Sequence, residues 1–321
     1  MFRVLTSKAT WFQKSTYRFN AVVRTFSSSI ARLQSDEDHK LTPYLLRATD
    51  LVGDLPLTLH KKLAKDFICL VEPKESIFNI IQDHLVKSDS DIRLLGTTVA
   101  LISKIMEEFV TDDIQIVREK HLRLAEITEI IHSAIRLHNS VKNNSIFKDN
   151  KMSILIGDFL LASACLELAE LCKPEVVDLI ATALSHMSNY TFLKESTISD
   201  SSFSLAKWEE MVFMKTASLF ANSCRATCAW NNVEGIVNRN LYEFGRNFGL
   251  AYELNRIRCK ENSESDHLEY SLLSIVRDEK IHFEVQELSK RYCDLAEDNL
   301  GNVRDSEAKQ ILLDMINALR S

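Results

Sequence analysis

The hydrophobic positions along this chain recur with the 3.6-residue period of a helix almost from end to end. In residues 121–139 the apolar side chains Leu122, Leu124, Ile127, Ile130, Ile131, Ala134 and Ile135, followed by His138, fall on one stripe. Upstream, 57–71 and 75–88 read as two helices broken at Glu72-Pro73, and 91–109 as a strongly apolar third. Residues 152–171, "MSILIGDFLLASACLELAEL", are apolar almost all round, the pattern of a helix central in a bundle. Pro174 suits the first position of a helix over 174–191. "STISDSS" at 196–202 is a loop that caps a helix over 203–229, and 233–258, 266–297 and 305–319 complete the series. Residues 36–56 read as irregular. No stretch alternates like a strand, so the expected fold class is all-α, a bundle of roughly ten helices.

Composition agrees. Gly (7) and Pro (4) are scarce against about 22 and 16 expected from average usage, which disfavours architectures rich in tight turns. The first 35 residues differ from the rest. They carry Arg3, Lys8, Lys14, Arg18, Arg24 and Arg32, no acid, and many Ser and Thr. This is the make-up of a mitochondrial transit peptide. It is expected to span 1–33, with 34–56 as an irregular lead into a helical domain over 57–321, and matrix localisation follows. The whole chain has net charge −6, and the remainder is more acidic still once those six cations are set aside. An acidic body argues against nucleic acid as a partner, and the lack of an 18-residue apolar run argues against a transmembrane helix. Cys224/Cys228 and Cys165/Cys172 each share a helical face without a zinc spacing, so buried thiols are expected.

No phosphate-binding glycine loop, nucleophile elbow or H-E-x-x-H is present. Three other segments stand out together: "EITEIIHSAIRLHNSVKNN", "NKMSILIGDFLLASA" and "LYEFGRNFGLAYELNRIRCK". Their order and spacing resemble the trans-isoprenyl diphosphate synthases. The matching family patterns are E-x-I-H-x-A-x-L-x-H-D-D-x-x-D, G-N-K-x-A-x-L-x-G-D-x-L-L-A and F-G-x-x-x-G-x-A-F-Q-x-x-D-D-x-x-D. Between the last two the family has K-T-A, here Lys215-Thr216-Ala217. The middle segment fits best, through Asn150, Lys151, Gly157, Asp158, Leu160, Leu161 and Ala162.

The departures are as specific as the matches. The three aspartates of the first acidic motif fall on Asn139, Ser140 and Asn143, and those of the second on Arg256, Ile257 and Lys260. Of the basic motif expected before the apolar helix, only Arg93 survives. The resemblance implies an enzyme that ionises an allylic diphosphate held by Mg²⁺ between two carboxylate clusters. Mg²⁺ requires hard, preferably anionic oxygen ligands. A cation about 5 Å from it is repelled by about 6–7 kcal/mol at an effective dielectric near 20. No catalytic residue and no metal are therefore expected in this chain.

Several residues admit two readings. Asn139, Ser140 and Asn143 can simply end a helix and cap the next loop. Arg256, Arg258 and Lys260 can form a solvated face toward the acidic "ENSESD" segment. Lys215 matches the family's diphosphate-contacting lysine or sits on a helix surface. His138 is expected to pack at its helix end, and Asp158 to make an internal hydrogen bond. Retained packing residues with lost metal ligands resemble, within the family, the non-catalytic second subunit of heteromeric decaprenyl diphosphate synthases. That resemblance implies a heterotetramer with a Mg²⁺-dependent catalytic chain, making the ubiquinone side chain. The apolar stretches 91–109, 121–139 and 152–171 are the expected contact candidates.

Overall fold

Asp113 starts the longest described helix. Its carboxylate accepts the Gln115 amide at 2.9 Å, an N-cap that satisfies one orphan donor, and its carbonyl accepts the first intrahelical bond, from Val117. The helix itself is Ile114–Asn139, preceded by Leu94–Met106 and the tight turn Glu107–Phe109. The structure is a computed structural model and describes residues 40–52, 94–111, 113–139, 147–197, 205–231, 233–259 and 279–320. In chain order the helices are α1 (Thr42–Val52), α2 (Leu94–Met106), α3 (Ile114–Asn139), α4 (Phe147–Glu170) and α5 (Pro174–Thr197). Then come α6 (Leu205–Val212), α7 (Ser218–Ala226), α8 (Ile236–Cys259), α9 (Glu279–Asn299) and α10 (Glu307–Arg320). A π-helical turn, Phe213–Ala217, joins α6 to α7. Among the described residues there is no strand, and the architecture is an all-helical bundle.

The central element is α2, in which every residue except Lys104 is buried. Helices α1, α3, α7 and α10 surround it. The expected helix over 91–109 is thus present, but its apolar surface is consumed inside this chain and is not left for a partner. The stretch 36–56, read as irregular, contains α1, which packs Leu45 and Ala48 onto α2 and α10. Its Arg47 reaches Asp314 at 3.2 Å on α10. At 11 residues with only Leu45 and Ala48 buried, α1 is too short to show a long apolar period. Helices α3 and α4 both begin earlier than the stripe pattern indicates, and in the first turn of α3 Ile114 and Ile116 are exposed, so they do not extend the buried stripe. The expected helices over 57–71 and 75–88, Arg93 and the start of 266–297 lie outside the described residues.

The position expected of 152–171 is also reversed. Helix α4 packs along α3, but Ile154, Leu155 and Leu166 stay exposed on its other side. An all-round apolar helix here means one face for the core and one open face. Cys172 ends the connection with φ 52, the left-handed cap conformation more often taken by glycine. Pro174 then opens α5 at its first position, as expected. The predicted burial of the cysteines holds for Cys224 and Cys228, but Cys165 and Cys172 are exposed. They lie on the uncovered side of α4 and in the cap after it.

Candidate functional site: a degenerate pair of acidic motifs

Two glycines of the third segment set the position of α8. A Cβ on Gly245 would stand 2.5 Å from the Phe220 carbonyl oxygen, and one on Gly249 would stand 2.8 Å from the Ala217 Cα. Both neighbours are backbone, so the G-x-x-x-G spacing lets α8 lie directly on α7 and the π turn. Phe244 and Phe248 stack at 5.6 Å beside this contact, with Phe220 edge-on to Phe248 at 5.7 Å.

That close approach brings the Lys-Thr-Ala turn against the end of α8. Glu253, with only 5% of its side chain exposed, is the point of convergence. Its Oε1 accepts the Thr216 hydroxyl at 2.7 Å. Its Oε2 accepts Arg256 Nε at 3.0 Å and lies 2.9 Å from Arg256 Nη2. Lys215 Nζ stands 3.5 Å from the same oxygen. Burial alone would push the Glu253 carboxyl up. The charges of Arg256 and Lys215, with hydrogen bonds from Thr216 and Arg256, outweigh it and hold the group far below the usual carboxylate range. Lys215 is therefore neither a surface lysine nor an open diphosphate contact. Arg256 is not on a solvated face, because Glu253 draws it inward with 17% of its side chain exposed. Side chains of Ile257 and Arg258, and all of Lys260, lie outside the described residues.

At the other motif, Asn139 closes α3 and is exposed. Ser140 and Asn143 lie outside the described residues. His138 stands over Gly157, where an added Cβ would strike the imidazole ring. His138 Nε2 lies 3.2 Å from Asp158 Oδ1, whose side chain is 63% exposed. Asp158 thus faces His138 across the α3–α4 contact and makes no internal hydrogen bond with it, the His138 Nε2 being buried without a hydrogen-bond partner. Lys151 is exposed in the first turns of α4, and Asn150 lies in the same helix.

The described residues of the two motifs do not fit a divalent cation. Asn139 offers one neutral oxygen, and Arg256 brings a positive charge to a position where the family pattern has Asp. Among the described residues no group of three or more His, Cys, Asp or Glu side chains could hold a metal. Glu253 was not singled out from sequence, although two signals were legible. It replaces the pattern's Gln, and it lies at i, i+3 to Arg256 on one helix face. Glu129 was missed too. This buried carboxylate of α3 accepts the Gly96 amide at 2.7 Å and caps the start of α2.

The polyprenyl synthetase family model matches residues 83–255, more than half of the chain, and the chain belongs to that family. The match ends one residue before Arg256. The chain is 38% identical over 147 residues to the mitochondrial solanesyl-diphosphate synthase 1 of Oryza sativa, a stretch covering 43% of this chain and 34% of that protein. It is 36% identical over 149 residues to a probable mitochondrial hexaprenyl pyrophosphate synthase of Neurospora crassa, covering 41% and 33% respectively. The matches span about a third of these relatives' own length. A Caulobacter crescentus polyprenyl synthase, solved with calcium and isoprenyl diphosphate, superposes with TM-score 0.65 at 20% identity. That superposition covers 86% of this chain and 98% of the other, a likeness of fold.

Proposed function

We propose that this chain is the non-catalytic subunit of a heteromeric all-trans-polyprenyl diphosphate synthase that makes the ubiquinone side chain in the mitochondrial matrix. It stabilises or shapes a catalytic subunit that carries the Mg²⁺-binding aspartates, in a heterotetramer. The observation that carries this reading is Arg256, bound to buried Glu253 where a metal-binding carboxylate would be needed. A guanidinium held there opposes a divalent ion and accepts no proton. The helical frame around it is intact, as a subunit kept for its fold and surface requires.

Two further observations support the partner and the compartment. Helix α4 and the end of α5 present Leu155, Leu166 and Phe192 to solvent, the last two at 62% and 73% exposure. Apolar side chains on adjoining helices suit an obligate interface. The acid-free, arginine-containing start of the chain agrees with the mitochondrial names of its relatives.

The test is co-expression. The catalytic chain, given farnesyl and isopentenyl diphosphates with Mg²⁺, is expected to be soluble and to elongate only when this chain accompanies it. The purified chain alone is expected to give no product. A catalytic chain fully active without this protein would favour a scaffold role outside prenyl synthesis. Chelator-sensitive turnover by this chain alone would make it an enzyme.

A further inference from the structure

Where the end of α2, helix α3 and the turn Ala229–Asn231 come together, three buried polar atoms have no hydrogen-bond partner among the described residues: His121 Nδ1, Trp230 Nε1 and Asn231 Oδ1. The contacts around them hold all three at one junction. The Trp230 ring stands edge-on to the His121 ring at 5.3 Å. Asn231 follows Trp230 in the turn, and its Nδ2 donates at 3.1 Å to the carbonyl of Met106, the last residue of α2. His121 is 1% exposed and Trp230 8%, so bulk solvent does not serve these atoms, and a buried polar atom left unpaired is costly.

The other bonds of each side chain fix what its unpaired atom can do. A carbonyl only accepts, so the 3.1 Å bond between His121 Nε2 and the Thr227 carbonyl puts the ring proton on Nε2. Burial lowers the pKa of His121 to about 4, so at neutral pH its Nδ1 carries a lone pair. Asn231 gives its amide nitrogen to Met106 and turns its oxygen the other way. The indole N–H of Trp230 only donates. The set is two acceptors and one donor, all uncharged. A metal ion or ammonium does not accept the indole proton, and an anion without protons does not donate to the two acceptors. Water does both, and three partners are the usual number for a buried water.

We propose that His121 Nδ1, Trp230 Nε1 and Asn231 Oδ1 form a site for one structural water molecule, which donates to His121 and Asn231 and accepts from Trp230. The water joins α3 to the turn after α7 and, through Asn231, to the end of α2. The inference goes beyond the subunit reading and does not depend on it. His121 lies about 27 Å along α3 from Asn139, at the helical rise of about 1.5 Å per residue.

Two measurements on the full-length wild-type chain test it. A high-resolution crystal structure is expected to show one water peak within about 2.7–3.2 Å of all three atoms. Nuclear magnetic resonance at neutral pH is expected to find His121 as the Nε2–H tautomer, and a cross-peak from the Trp230 indole proton to a long-lived water. His121→Phe removes one acceptor and leaves the indole in place, so that cross-peak is expected to be lost. The proposal is overturned by the lack of such a water peak, by a direct bond from Trp230 Nε1 to either acceptor, by an Nδ1–H tautomer, or by a cross-peak that survives His121→Phe. If His121→Phe does not fold, the two wild-type measurements decide.

Discussion

His121 lies beneath Trp230, its ring edge-on at 5.3 Å, with Nε2 donating to the Thr227 carbonyl at 3.1 Å. Burial outweighs that hydrogen bond and the charge of Glu107 and lowers its pKa to about 4. An unfolded imidazole takes up its proton near 6.5. The unfolded state therefore binds more protons between these values, and stability falls as the pH drops through that window. Denaturant melts from pH 6.5 to 5 are expected to lose up to about 1.4 kcal/mol per unit. His121→Gln, which keeps a donor for Thr227, is expected to flatten that slope. Glu253 acts in the same direction only below the usual glutamate range, because its folded pKa is depressed. A different residue-scale test concerns Glu129. Glu129→Ala strips the Gly96 amide of its acceptor, and a loss of about 1–3 kcal/mol in urea denaturation is expected.

Between helices, the scarce glycines act as spacers for close packing. Gly245 meets backbone that cannot retreat, whereas Gly157 meets the ring of His138, which can swing away. Gly245→Ala is expected to cost about 3 kcal/mol, the upper end for overpacking, and Gly157→Ala about 1 kcal/mol. Comparing their melting temperatures checks the difference. This scale also separates what was legible in the sequence from what was not. Helix α2 announced itself because its apolar run is long and uninterrupted, and α8 through the helical period of 233–258. Helix α1 escaped notice, since three turns with two buried apolar side chains leave too short a period to read. The open face of α4 escaped because burial and exposure look alike when both faces are apolar. At the site, the family pattern located Arg256 and Lys215. What joins them is Glu253, whose importance appears only when a turn 37 residues away in sequence donates Thr216 to it.

For the whole molecule, the proposed non-catalytic role and the open apolar face of α4 make one account. Leu166 is exposed, on the side of α4 opposite the buried Ala164 and Leu168, so Leu166→Asp is expected to leave the melting temperature unchanged within about 1 °C while abolishing co-purification of the catalytic chain. Retained co-purification would move the interface elsewhere. No described helix is long and apolar enough to cross a membrane. The central claim is that the missing carboxylates at both motifs, with a cation at the second, exclude a divalent ion, and its most direct test is anomalous scattering. Crystals of the wild-type chain soaked with Mn²⁺ and inorganic pyrophosphate are expected to show no metal peak beside Asn139 or Arg256. A manganese peak coordinated there would contradict the account.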